Sequence, residues 1–137
     1  MLRIGFVRDF LIRYLVAGLI FAAIDAVWLT VVANRFYKRH LGDLLLSKPN
    51  LVAAVLFYLI YIAGVVVFAL TPALDRQSWL LALGYGALLG LFAYATYDLT
   101  NLATLKGFPL IVVIVDIVWG VALTGGVTAL AYAFLHR

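Results

Sequence analysis

Three aspartates, Asp25, Asp98 and Asp116, stand inside long apolar runs of a chain that holds only six acidic residues in all. A charged side chain at the centre of a bilayer costs ~2.5–3.5 kcal/mol on insertion scales, so such residues face a bundle interior or a watery cavity and mark function. Carboxyls gathered in a low dielectric cannot all ionise, and a cluster that must share protons suits proton exchange or general acid–base work. Hydrogen-bonding side chains accompany them. Tyr94, Tyr97, Thr100 and Asn101 surround Asp98 in sequence, and Tyr58 lies in a different run. Trp28 and Trp119 each follow an acid by three residues, in Asp25-Ala-Val-Trp28 and Asp116-Ile-Val-Trp119, so indole and carboxyl share a helix face and each N–H is expected to donate to its acid.

The elements that position these groups follow from composition. With 67% hydrophobic and 12% charged residues over 137 positions, and a mean hydropathy of +1.15, the chain has more apolar surface than a soluble fold can hide. Four runs, at residues 12–34, 51–70, 79–101 and 110–134, each approach the ~20 residues needed to cross hydrocarbon. The expected fold is all-α: a polytopic four-helix transmembrane bundle forming a single domain over residues 1–137. Polar segments at 35–43, 71–76 and 106–109 read as the connections, and Pro49 and Pro109 as helix starts, where a missing N–H costs nothing. Arg3, Arg8 and Arg13 precede the apolar stretch that contains Ala22 and Ala23, as they would in a cleaved leader. That run continues to Val32, too long for a leader, and is expected to be retained. The positive-inside rule gives no orientation, because Arg3, Arg8, Arg13, Arg76 and Arg137 on one side balance Arg35, Lys38, Arg39, Lys48 and Lys106 on the other.

Depth brings the acids together. Runs one and three go one way and two and four return, so at ~1.5 Å per residue Asp25, Asp98, Asp116 and Tyr58 fall in the half of the membrane nearer the first and third connections. Asp98 is expected nearest the surface and best hydrated, and Asp25 deepest. Gly86, Gly90, Tyr94, Asp98 and Asn101 share one face of the third run; Asp116, Gly120, Thr124 and Thr128 share one face of the fourth. Small residues so spaced allow close packing between membrane helices, which makes the third run the expected centre, packed through Gly86 and Gly90. Each acid taken alone could be a simple interhelical tie, worth ~0.6 kcal/mol on average. Three at one depth favour a site, with Tyr97 or Asn101 expected to bond at least one of them.

Several chemistries are not supported. No two acids have ligand-like i, i+4 spacing and no histidine lies within a run, so neither a metal nor another cofactor is expected. There is no cysteine, and no phosphate loop, serine elbow or metalloprotease motif. The net charge of +4 comes from scattered Arg and Lys near run ends, which fits anionic lipid headgroups and not nucleic acid. Trp79, Phe108, Tyr14, Phe36 and Tyr37 fit the aromatic belts of a membrane interface.

The stretches Ala23-Ile-Asp-Ala-Val-Trp-Leu29, Pro49-Asn-Leu51 with Phe57-Tyr-Leu-Ile-Tyr61, Ala93-Tyr-Ala-Thr-Tyr-Asp-Leu-Thr-Asn101 and Asp116-Ile-Val-Trp-Gly120 resemble a bacterial family of inner-membrane proteins catalogued only as a domain of unknown function. The resemblance spans nearly the whole chain and implies four spans in the bacterial cytoplasmic membrane, but no activity. Three readings stand: a bundle that binds a small or lipidic ligand for transport or modification, with membrane lipids around it; a proton-coupled small exporter working as a homodimer; and a non-catalytic assembly subunit. The site residues common to the first two are Asp25, Asp98, Asp116, Tyr58, Tyr94, Tyr97, Asn101, Trp28 and Trp119.

Overall fold

A computed structural model describes the backbone of residues 2–136 and the side chains of residues 4–136, so the Arg3 and Arg137 side chains weighed for orientation lie outside it. Among the described residues four helical runs are long and apolar enough to cross a membrane: Ile4–Leu44, Leu51–Asp75, Trp79–Thr104 and Leu110–Leu135. No strand occurs among the described residues.

The first run is longer than its apolar core. It comprises α1 (Leu2–Trp28), a π-turn at Leu29–Ala33, α2 (Asn34–Leu41) and a closing 3-10 turn at Gly42–Leu44. Residues 35–43, expected as a connection, are therefore largely helical. The reason is local: no Gly or Pro stands between Gly18 and Gly42, and Arg and Lys are good helix formers. The helix stops at Gly42, whose φ of 52° takes the chain into the left-handed region.

The second run also passes its expected end at residue 70. It consists of α3 (Leu51–Val65), a π-turn at Val66–Leu70 and α4 (Thr71–Asp75). Pro72 has no N–H and its ring crowds the carbonyl four residues back, which breaks a regular helix. The wider turn just before it absorbs that mismatch, and the helix continues. Side-chain caps fix the starts of two helices: Asn50 accepts from the Ala53 N–H at 3.2 Å, and Ser78 accepts from the Leu81 N–H at 3.1 Å. The latter opens α5 (Trp79–Thr104), which turns at Gly107 (φ 69°) into α6 (Leu110–Leu135).

Helices α5 and α6 form the tight pair of the bundle. A methyl group at Gly90 would overlap the Gly120 carbonyl, one at Gly86 would meet Thr128 and the Thr124 carbonyl, and one at Gly120 would strike the Tyr94 ring. Gly86 and Gly90 thus make the expected close approach. The central helix, however, is the fourth and not the third: eleven residues of α6 are buried against four of α5. Small side chains occupy more than one face of α6, so neighbours approach from two sides, whereas the buried glycines of α5, Gly86 and Gly90, line a single stripe. A second set of buried residues, Ala17, Phe21, Tyr61, Val65, Val66 and Leu70, joins α1 and the second run to α6. By contrast the first half of α3 stands off from the bundle, with Leu51, Val52, Val55, Leu56 and Ile60 all exposed.

Candidate functional site

Where α3 stands off, a cavity of about 270 Å³ opens inside the bundle, and Asp25, Asp98 and Asp116 all line it. Helix α1 contributes Asp25 and Trp28, α3 contributes Tyr58, α5 contributes Tyr94, Tyr97 and Asp98, and α6 contributes Asp116 and Trp119. Eight of the nine residues singled out in the sequence therefore meet at one place. Asn101 does not line the cavity.

Each acid has a different environment. Asp25 accepts a hydrogen bond from the Tyr58 hydroxyl at 2.5 Å, which ties α1 to α3. Asp116 accepts from the Tyr37 hydroxyl, which ties α6 to α2. Asp98 is fully enclosed, and neither of its carboxylate oxygens has a hydrogen-bond partner among the described residues. Its acidic neighbour in the cavity is Asp116. The expectation that Asp98 would be the best hydrated of the three is thus reversed: Asp25 keeps 7% of its surface exposed and Asp98 none. Leu41, Leu45 and Phe108 line the same cavity and form a roof at one end of it.

The roof contains the residue that sequence reasoning missed. Tyr37, and Phe36 beside it, pack with Leu41 against Phe108, Val112 and Val113 instead of lying in an interfacial belt, and Phe108 is itself buried. In a regular helix, at ~100° per residue, Tyr37 would point ~120° away from Asp25, twelve positions earlier. The π-turn at Leu29–Ala33 acts as one extra residue and reduces that angle to ~20°, so the hydroxyl comes round to the acids. Nothing in the hydrophobic pattern signals such a turn.

Two further expectations need correction. Tyr97 is 60% exposed at the cavity's edge, and no hydrogen bond joins it or Asn101 to an Asp among the described residues; Tyr58 and Tyr37 take that part. Tyr97 stands one position from Asp98 on α5 and is turned ~100° away from it towards the exposed side. Likewise neither indole donates to a carboxyl. Trp28 and Trp119 instead stack on each other, with ring centroids 4.2 Å apart and planes 8° from parallel, forming an aromatic wall between α1 and α6. Below the cavity the Tyr61 hydroxyl pairs with Thr124 at 2.7 Å and closes the floor.

The cavity holds three acids and, in its lining, no Lys, Arg or His. Among the described residues no group of three or more His, Cys, Asp or Glu is arranged to hold a metal ion.

The family model described as "Predicted membrane protein (DUF2177)" matches residues 10–133. The chain belongs to this family. The match reaches into all four spans and takes in every residue of the cavity, so this DUF2177 member is a membrane protein in contact with lipid through the exposed Leu, Val, Ile and Phe of its helices. No curated protein and no solved structure matches the chain.

Proposed function

We propose that the bundle is an intramembrane receptacle for a small or lipidic ligand, whose polar part is held by the acids for transport or modification. The observation that carries the reading is Asp98, enclosed at the cavity with both carboxylate oxygens unpartnered. A buried acceptor left unmet costs about 1–3 kcal/mol, and a fold keeps such a group where binding supplies what is missing. The resemblance to bacterial inner-membrane proteins supports the cytoplasmic membrane as its location. The test is a ligand-screened thermal shift in nanodiscs, run on the wild type and on Asp98→Asn. A compound class that stabilises the wild type and not the variant is the expected result. Equal stabilisation of both by every compound, or none by any, would remove the basis of the reading.

A further inference from the structure

We infer that the ligand is a cationic amphiphile, an alkylammonium whose headgroup sits in the acid-lined cavity and whose hydrocarbon chain leaves through the cleft between α3 and α5. This rests on the receptacle reading and adds the chemical class. The headgroup argument begins with donors and acceptors. Tyr58 and Tyr37 each donate to one acid, which leaves Asp98 with only another acid, Asp116, beside it, and no basic side chain lines the cavity. An ammonium brings three donors and no acceptor, the complement of that deficit, whereas a carboxylate or phosphate head would add a like charge. The stacked Trp28 and Trp119 rings place aromatic surface beside the same acids, which also favours a cation.

Size supplies the second half. At ~30 Å³ per water molecule, a cavity of about 270 Å³ holds roughly nine waters, enough for a headgroup and too little for a whole amphiphile. A second space of about 320 Å³, lined by Phe57, Ala93, Tyr94, Tyr97 and Asp116, lies between α3 and α5. It shares Tyr94, Tyr97 and Asp116 with the cavity, so the two adjoin. On the opposite flank the Tyr58–Asp25 bond crosses from α3 to α1, and the space on that side is smaller, about 210 Å³. No side-chain hydrogen bond crosses from α3 to α5 among the described residues, and the cleft opens towards the hydrocarbon at the level of the acids.

The experiment uses the full chain with Trp79→Phe in phosphatidylcholine nanodiscs, leaving Trp28 and Trp119 as reporters. Chain-brominated dodecylamine is titrated as quencher, with unlabelled dodecylamine, dodecanol and butylamine as competitors. Saturable, displaceable quenching is expected, with dodecanol about tenfold weaker than dodecylamine, and with dodecylamine about tenfold weaker on Asp98→Asn. Ala93→Phe, which fills the cleft and leaves the acids in place, should weaken dodecylamine and spare butylamine. Equal competition by amine and alcohol overturns the cationic class and leaves the receptacle standing. Butylamine as tight as dodecylamine, or dodecylamine unaffected by Ala93→Phe, overturns the cleft as the route of the chain. Quenching that never saturates overturns both this inference and the receptacle.

Discussion

Replacing Asp98 by leucine should stabilise the fold. In the native protein the carboxyl is fully enclosed with both oxygens unmet, a deficit of about 1–3 kcal/mol relative to an apolar group of similar shape. Leucine removes that deficit, and its extra volume has somewhere to go, because the side chain borders a cavity of about 270 Å³. The expected gain is therefore ~1–3 kcal/mol, a roughly 5- to 150-fold shift of the folding equilibrium. Asp25→Leu gives the opposite sign. It deletes the acceptor of the Tyr58 hydroxyl, losing an interhelical bond of ~0.6–1.7 kcal/mol and stranding a half-buried hydroxyl. Reversible unfolding in mixed micelles of mild detergent and SDS, followed by tryptophan fluorescence, measures both on one scale. Stabilisation by Asp98→Leu with loss of ligand response would be the usual trade of stability against function at a binding site. If Asp98→Leu instead lowers stability as much as Asp25→Leu, Asp98 has a structural partner and the argument from its unmet oxygens is wrong.

Gly90→Ala should cost ~1–3 kcal/mol in the same assay, since the new methyl overlaps the Gly120 carbonyl, whereas Gly84→Ala, which meets open space, should be neutral or gain up to ~1 kcal/mol. Tyr37→Phe unties α2 from Asp116; hydrogen–deuterium exchange should rise over residues 34–44 and stay unchanged in α5, and uniform exchange across the chain would count against a separate roof. Tyr58→Phe and Asp25→Leu, which break the same bond, should be less than additive in a double-mutant cycle, and full additivity would mean that the bond contributes nothing.

The four spans were legible because lipid imposes one simple demand, about twenty apolar residues in a row, and the runs at 51–70, 79–101 and 110–134 lie inside the observed helices almost end to end. The meeting of Asp25, Asp98, Asp116 and Tyr58 was legible for the same reason, since antiparallel spans of known rise convert sequence position into depth. What stayed hidden depended on rotation and on partners. Tyr37 looked interfacial because α2 reads as a basic connection and because its bearing on the acids arises only through a π-turn. Trp28 and Trp119 looked like donors to their own acids, since spacing along a helix reveals shared faces but not which ring another helix will bring alongside. Asp98 shares its cavity with Leu41, Leu45 and Phe108, three apolar residues near connections that carry no mark of what they border.

The π-turns have a consequence for how this chain tolerates changes of length. In the second span Tyr61, Val65, Ala69 and Ala73 are buried at every fourth position, a stripe that would drift ~120° round a regular helix over twelve residues. The turn at Val66–Leu70 holds it to one side, as the turn at Leu29–Ala33 holds Tyr37 above Asp25. Each turn is one residue more than a straight helix needs. Removing a single residue from within 29–33 or 66–70 converts the wide turn to a regular one and keeps both flanks in phase. The same deletion anywhere else in a span rotates everything beyond it by ~100° and takes the buried face out to lipid. A one-position gap between relatives is thus compatible with an intact cavity at these two places, and the spare residues act as slack built into the two spans that are tied together by Asp25 and Tyr58.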